Sequence, residues 1–192
     1  MKLEDFLIRA EGDDSRHLPD GRVAATWDSL GRCWNIGIGI TQGVTKNTVW
    51  TQEELRQHEE AELAATKTAV ANLVKVPLGE NRTTVLQSFA YNCGIGALAH
   101  SSILRSVNAG NFDEVPAELR QWVHAKGASG PVPGLVSRRN AEIKLWNTPD
   151  TEPAVTPISA PQTAPPAIRK PDDGWLSRVL FGRFAFLFNR KS

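Results

Sequence analysis

The chain has 192 residues, of which 41% are hydrophobic and 22% are charged, and its formal net charge is +1. This length suffices for one domain with a core plus an appendage. The charge is unevenly spread, because residues 151–192 contain six Lys or Arg against three acidic residues, whereas the first 150 contain 16 against 18. Two cysteines, Cys33 and Cys93, exclude a disulfide framework and are too few for a zinc site, so we expect two buried free thiols.

The first eleven residues predict a short amphipathic helix. Leu3, Phe6, Leu7 and Ala10 follow helical spacing, and Gly12 is a suitable C-terminal cap. Charged side chains within the same stretch leave no apolar segment of the kind that a signal peptide needs. We therefore expect no signal peptide, and synthesis that ends in the cytoplasm.

Glu11 is a candidate proton donor at the end of this helix. It lies four residues after Leu7, so its carboxyl group would project from the end of the apolar face. Apolar neighbours disfavour the charged form of a carboxyl group and raise its pKa, which suits it to donate a proton near neutral pH. The alternative is a solvated Glu at a frayed helix end.

A tight β-hairpin is predicted next. Val23–Trp27 is one β-prone run, Asp28–Gly31 has the composition of a turn, and Cys33–Ile40 is predicted to return as the second strand. Two glycines alternate with isoleucines in the return, which indicates that backbone or a ligand approaches that face closely. Asp28 would then lie on one wall of a cleft, opposite a carboxylate from upstream in the chain.

The chain from residue 51 to residue 147 predicts only helices. Thr51 and Glu54 form a capping box for a helix that ends near Pro77. Asn81–Ala99 is the most apolar helix and is expected at the centre of the core. Further helices are predicted from Ser101 or Ser102, over 115–123 and over Leu135–Trp146. Strands followed only by helices predict an α+β fold with the sheet in a small lobe.

The composition changes after residue 147. Residues 148–173 contain seven of the 12 prolines and predict a disordered linker. Residues 174–192 contain four of the seven phenylalanines with four cationic and no acidic side chains. This segment is too short to span a bilayer, and its composition suits contact with an anionic membrane surface. The alternative is that it docks onto the domain.

An ordered set of motifs over residues 1–147 resembles the phage-type lysozymes, or endolysins, of glycoside hydrolase family 24. These motifs are Glu11-Gly12, Trp27-Asp28 with Gly31, Asn35-Ile-Gly-Ile-Gly39, Phe89-Ala-Tyr-Asn-Cys-Gly-Ile-Gly-Ala97, Ser102-Ile-Leu104, Asn108-Ala-Gly110, Trp122, and Pro133-Gly-Leu-Val-Ser-Arg-Arg139 with Glu142. The resemblance implies a lysozyme-like fold, in which a small β-hairpin lobe packs on a mostly helical lobe with a cleft between them. It does not extend into the tail.

The resemblance also implies catalytic roles. In that family a Glu protonates the glycosidic oxygen, while an Asp on the hairpin and a Thr before Ile-Gly position a water. Carried over, Glu11 is the acid, Asp28 is the second carboxylate, and Asn35 stands where the family has Thr. An inverting hydrolase of this kind needs carboxyl groups roughly 6.5–9.5 Å apart. Ile40 occupies the position of the family's His, which is a second departure.

A rival alignment places the second carboxylate elsewhere. Asp20 and Thr26 lie at about the spacing from Glu11 that many family members show. We favour Asp28, because the Ile-Gly-Ile-Gly run aligns Asn35 with the family's Thr.

Other positions follow from the resemblance. Thr41, Tyr91 and Ser102 match family residues that face the sugar chain, although Tyr91 is equally well explained as a core aromatic and Ser102 as a helix cap. Arg138 and Arg139 are expected to hold the last helix by ion pairs. The four histidines show no metal-site or triad spacing, so we predict no metal and no cofactor.

These features predict an endolysin, a muramidase that hydrolyses the bond between N-acetylmuramic acid and N-acetylglucosamine in bacterial peptidoglycan. We expect it to be a monomer, to have no nucleic-acid partner, and to reach the wall after holin-type release. The alternatives are a lytic transglycosylase and a non-catalytic peptidoglycan-binding module.

Overall fold

The structure is a computed structural model that describes residues 1–11, 16–29, 32–125 and 128–150, with side chains for all of these except residues 8–11. Several predictions lie outside the described residues. They are the helix cap at Gly12, the second half of the turn after Ser29, most of the linker, and the whole basic aromatic segment at 174–192.

Helices dominate the described chain. They are α1 (Leu3–Glu11), α2 (Gln52–Leu73), α3 (Glu80–Cys93), α4 (Ile95–His100), α5 (Ser102–Asn108), α6 (Val115–Leu119) and α7 (Pro133–Trp146). The strands are β1 (Arg16–His17), β2 (Val23–Ala24), β3 (Thr26–Asp28), β4 (Cys33–Asn35) and β5 (Val49–Trp50). The mixture of short strands and helices is the α+β class that the sequence predicted.

The strands form two small antiparallel sheets rather than one hairpin. One sheet has the order β1-β2-β5, and the other pairs β3 with β4. The predicted single run from Val23 to Trp27 is therefore wrong, because β2 and β3 are separated by Ala25, whose N–H donates to the carbonyl of Thr48 at 3.0 Å. The chain changes sheets at this residue, and only β3 belongs to the strand pair that carries Asp28.

The core is centred on α3, as predicted. Its residues Val85, Leu86 and Phe89 are completely buried. Helices α1, α2, α4 and α7 all pack against it. The predicted helix to Ala99 is nevertheless two helices, because Gly94 interrupts it with φ +93°. A positive φ is readily adopted by glycine and ends the α-helical geometry.

The helix boundaries differ from prediction in small ways. The capping box on α2 is confirmed, since the Glu54 N–H donates to Thr51 Oγ1 at 3.2 Å and the Thr51 N–H donates to Glu54 Oε2 at 2.8 Å. That helix ends at Leu73, before the predicted stop. Ser101 is the cap of α5, because its Oγ accepts from the Leu104 N–H at 3.1 Å. Helix α6 ends at Leu119 and is shorter than predicted.

Both cysteines are free thiols. Cys93 is buried, as predicted, whereas Cys33 on β4 is only half-buried. Within the described ranges, no helix is long and apolar enough to cross a membrane.

Candidate active site

The β3–β4 pair gathers three polar side chains on one face. Thr26 lies directly opposite Asn35, and Asp28 lies directly opposite Cys33. Residues two apart on a strand share a face, and directly opposed residues of an antiparallel pair share it too. Thr26, Asp28 and Asn35 are all half-buried. The face can therefore offer a carboxylate, an amide and a hydroxyl to a ligand or a water.

A hydrogen bond joins two of these groups. The Thr26 hydroxyl donates to Asn35 Oδ1 at 3.0 Å. Sequence reasoning considered Thr26 only as part of the rival alignment with Asp20 and did not place it beside Asn35. The available signal was strand alternation, because Thr26 lies two residues before Asp28.

The other face of the pair is aromatic. Trp27 and Trp34 are directly opposed, with ring centroids 5.5 Å apart in an edge-on arrangement. Trp27 remains 51% exposed. Two strands of three residues share few backbone hydrogen bonds. The contact between the two Trp rings therefore adds stability to the strand pair, on the face opposite Asp28.

The second strand ends earlier than predicted, at Asn35. Ile36 and Ile40 exchange backbone hydrogen bonds of 3.0 and 2.9 Å, which closes a tight turn over the residues between them. Gly37 and Gly39 have φ of +62° and +93°. The predicted continuation to Ile40 is wrong because these positive φ values reverse the chain, and glycine adopts them at little cost.

Two side chains of the helical lobe form hydrogen bonds with the backbone of Ile38, the central residue of this turn. The Ile38 N–H donates to Glu59 Oε1 at 3.0 Å, and its carbonyl accepts from the Tyr91 hydroxyl at 3.0 Å. A Cβ at Gly37 would overlap Glu59 Oε1 and the Leu55 side chain. The close approach predicted for the glycine face is therefore made by side chains of α2.

The same turn packs against a small apolar cluster that includes two residues of the first helix. Ile38 packs against this cluster, whose members are Leu3, Leu7, Leu63 and Tyr91. Glu11 is the last residue of α1, four positions after Leu7, and Asn35 immediately precedes the turn. The Glu11 side chain itself lies outside the described residues, so its pKa and its distance to Asp28 stay predictions.

The rival carboxylate has a different environment. Asp20 is exposed on the turn before β2, where it accepts from Arg22 Nε at 2.8 Å and forms an ion pair with Nη2 at 2.7 Å. The hydrogen bonds from Arg22 hold the pKa of the Asp20 carboxyl below its ordinary value. Asp20 is thus paired with Arg22 on an exposed loop.

The predicted sugar-contacting residues are distributed differently. Thr41 is half-buried just after the turn, and Ser102 is half-buried at the first position of α5. The helix-cap alternative for Ser102 is wrong, since Ser101 is the cap. Tyr91 is only 3% exposed. Its hydroxyl is bonded to the turn, which is the core role that the sequence left open.

The last helix is held by buried charge. Arg139 Nε lies 2.9 Å from Glu142 Oε2, and the Arg139 guanidinium donates to Asn92 Oδ1 at 3.0 Å. Ser88 Oγ donates to Glu142 Oε1 at 2.7 Å. The ion pair predicted for Arg139 is confirmed. Arg138 is also buried, with Nη1 3.4 Å from Ser88 Oγ.

Within the part of the chain that the structure describes, no group of His, Cys, Asp and Glu side chains is suited to hold a metal ion.

Comparisons with known proteins agree with this architecture. The family model described as phage lysozyme matches residues 20–142, which include the β3–β4 pair and helices α2–α6 but not Glu11. An endolysin of Acyrthosiphon pisum secondary endosymbiont phage 1 is 32% identical over 117 residues, which cover 60% of this chain and 80% of that protein.

Solved structures of lysozyme-type proteins share the fold of this chain. The muramidase domain of SpmX from Asticaccaulis excentricus has a TM-score of 0.60 at 31% identity, covering 77% of this chain and 95% of its own. The endolysin of Escherichia coli O157:H7 phage FAHEc1 has a TM-score of 0.61 at 27% identity, covering 77% and 94%. With its lysozyme-like fold and a family match over most of the described residues, the chain belongs to the phage lysozyme family and is a glycoside hydrolase of the lysozyme type.

Proposed function

We propose that this lysozyme hydrolyses the β-1,4 bond between N-acetylmuramic acid and N-acetylglucosamine by an inverting mechanism, with Glu11 as general acid and Asp28 as the carboxylate that activates water. Asn35 helps to hold that water. The observation that carries the proposal is the common face of β3 and β4, on which Asp28 and Asn35 lie. Asn35 immediately precedes the turn whose Ile38 packs against the apolar cluster that includes Leu3 and Leu7 of α1.

The proposed reaction is a single displacement at the anomeric carbon. Glu11 gives its proton to the glycosidic oxygen, and the bond from that oxygen to the anomeric carbon breaks. Water attacks the anomeric carbon from the opposite face of the sugar and gives a proton to Asp28. The sugar product takes the hydroxyl group, the leaving sugar takes the proton, and no cofactor is needed. Proton exchange with solvent restores both carboxyl groups.

The position of α1 supports the role of Glu11. The apolar face of this helix is buried, with Leu3 and Leu7 each only 1% exposed. The four-residue spacing from Leu7 to Glu11 in the sequence predicts apolar neighbours for the Glu11 carboxyl group. Such neighbours raise the pKa of a carboxyl group and keep it protonated near neutral pH.

The test uses purified peptidoglycan sacculi. We expect wild type to clear them, Glu11→Gln to abolish clearing, and Asp28→Asn to reduce the rate by at least about a hundredfold. Asp20→Asn is the matched control, because it removes an equivalent charge from the same lobe, and it should retain the wild-type rate. Loss of activity in Asp20→Asn with retention in Asp28→Asn would instead support the rival alignment.

Mass spectrometry of the soluble products separates hydrolysis from transglycosylation. A hydrolase leaves a reducing end that contains the added water, whereas a lytic transglycosylase leaves a 1,6-anhydro end that is lighter by one water. We expect hydrated ends. Binding to sacculi with no soluble product would identify a non-catalytic wall-binding protein.

We further propose that the protein acts as an endolysin monomer at the wall of a bacterial host.

We also propose that residues 174–192 bind an anionic membrane surface. The support for membrane binding is the acid-free Trp, Phe and Arg composition of that segment. Full-length protein should float with anionic vesicles, and Arg178→Glu with Arg183→Glu should weaken this. The control pair Arg16→Glu with Arg120→Glu reverses two exposed charges in the described domain. Equal flotation of both variants would remove the membrane role.

A further inference from the structure

We propose that Thr26 is a positioning residue for the hydrolytic water, because its hydroxyl fixes the orientation of the Asn35 amide. The inference rests on the proposed function, in which Asn35 and Asp28 hold that water. It adds a residue that the sequence assigned only to a rival alignment.

The geometry is that of a directly opposed pair. Thr26 and Asn35 face each other across β3 and β4, and the hydroxyl donates to Oδ1 at 3.0 Å. Both residues are half-buried, so the bond is partly shielded from competing water. No hydrogen bond of the Asn35 NH2 group occurs among the residues that the structure describes.

The orientation of the amide decides what it can do to a water. An Asn side chain is an acceptor at Oδ1 and a donor at Nδ2. If Oδ1 faced the water, the water would donate to both Oδ1 and Asp28, and neither group would donate to the water oxygen. Because the Thr26 hydroxyl is bonded to Oδ1, the NH2 group is the part of the amide that remains to donate to the water oxygen.

Asp28 supplies the complementary group. It lies two residues from Thr26 on the same face, and diagonal neighbours across an antiparallel pair have Cα atoms roughly 7–8 Å apart. Two side chains and one water can span that separation. The water would then accept from the Asn35 amide and donate to the Asp28 carboxylate, which directs its remaining lone pair towards the sugar.

Thr26 exchanges no proton in this scheme. The water's proton still goes to Asp28, and the leaving oxygen still receives the proton of Glu11. Removing the Thr26 hydroxyl should therefore lower kcat by about tenfold to a hundredfold, which is the scale of misplacing a reacting group, and should leave KM nearly unchanged.

The primary experiment compares Thr26→Val with Thr26→Ser in steady-state assays over a range of concentrations of dye-labelled sacculi, with melting temperatures measured in parallel. We expect Val to lower kcat at constant KM, and Ser to restore it to within about threefold. The matched control is Thr68→Val, which removes a hydroxyl that donates to the Ala64 carbonyl on the exposed side of α2. This control should keep the wild-type kcat.

A double-mutant cycle distinguishes positioning from general stabilisation. Because Thr26 acts through Asn35, Thr26→Val should cause no further loss of kcat in an Asn35→Ala background. Multiplicative losses would overturn the inference, as would a Thr26→Val enzyme within twofold of wild type. Asp28→Asn is assayed alongside. If it is inactive while Thr26→Val is fully active, the inference fails and the proposed function stands; if Asp28→Asn is fully active, the proposed function fails.

Discussion

Two clusters of polar side chains in this molecule differ in their solvent exposure. The group between α3 and α7 contains Arg139 and Glu142, which are 1% and 0% exposed and are enclosed by hydrogen-bonding partners. The group on β3 and β4 contains Thr26, Asp28 and Asn35, which are half-buried. The two groups thus differ in accessibility: the polar side chains between α3 and α7 are enclosed, whereas those on β3 and β4 can still reach water or a ligand.

The physical basis of the difference is solvation. A buried charge is tolerated only when its partners replace the lost water, and removal of one partner leaves an uncompensated charge. A half-buried carboxylate or amide keeps access to water or to a substrate. The interior cluster should therefore dominate stability, whereas the strand cluster should affect rate with little effect on the fold.

The largest expected effect comes from breaking the interior ion pair. Arg139→Met should lower the free energy of unfolding by about 3–5 kcal/mol, because Glu142 is left buried without its partner. Urea denaturation measures this, with Arg120→Met, which alters an exposed arginine, as the control. A loss below about 1 kcal/mol would show that the buried pair contributes little.

The same variant should depend on pH in a defined direction. Burial raises the pKa of Glu142, and Arg139 opposes that effect. Without the arginine the folded-state pKa rises further, so the folded protein binds a proton that the unfolded chain has released. Because the folded-state pKa of Glu142 is already raised in wild type, the deficit relative to wild type should stay constant at acid pH and grow only as the pH rises above that wild-type folded-state pKa.

The turn between Ile36 and Ile40, which connects the strand pair to the helical lobe, should be the next most sensitive to substitution. Gly37→Ala forces a Cβ against Glu59 Oε1 and Leu55, so the Ile38 N–H loses its acceptor. Gly43→Ala is the control, since Gly43 also has positive φ, at +71°, but has open space around it. We expect Gly37→Ala to cost about 1–3 kcal/mol more than Gly43→Ala. Equal costs would mean that the contact with α2 does not hold the turn.

A smaller effect is expected at the hydroxyl that ties the turn to α3. Tyr91→Phe removes the hydrogen bond to the Ile38 carbonyl and should cost about 1 kcal/mol in the free energy of unfolding. Because the side chain is nearly inaccessible, KM for sacculi should change less than twofold. A large rise in KM with unchanged stability would restore Tyr91 as a sugar contact.

The reactivities of the two thiols allow the two regions to be compared without a mutation, because Cys93 contacts Arg139 of the interior cluster and Cys33 lies on β4. Burial raises the pKa of Cys93 to about 11, so at pH 8 only about one molecule in a thousand carries the thiolate. Cys33 is half-buried on β4. A thiol-specific chromogenic reagent at pH 8 should titrate one cysteine in the native protein and two in guanidinium chloride. Rapid reaction of both native thiols would contradict the enclosure of the interior cluster.

Local signals in the sequence predicted much of the fold. The capping box of Thr51 and Glu54 and the apolar spacing of α3 depend on residues close together in the chain, so periodicity and composition reveal them. The ordered motifs gave the family for the same reason. The pattern of alternating glycine and isoleucine predicts a strand through Gly37 and Gly39, and this is wrong because the alternation does not report the sign of φ.

The sequence alone determined the α+β class, the helical core and the candidates Glu11, Asp28 and Asn35. Tertiary structure decided that Thr26 faces Asn35, that Tyr91 and Glu59 hold the backbone of Ile38, and that Asp20 pairs with Arg22 on a loop. The first two outcomes depend on strand register and on contacts between residues 9 to 53 positions apart. Such contacts form only when the whole chain packs, so no local pattern specifies them.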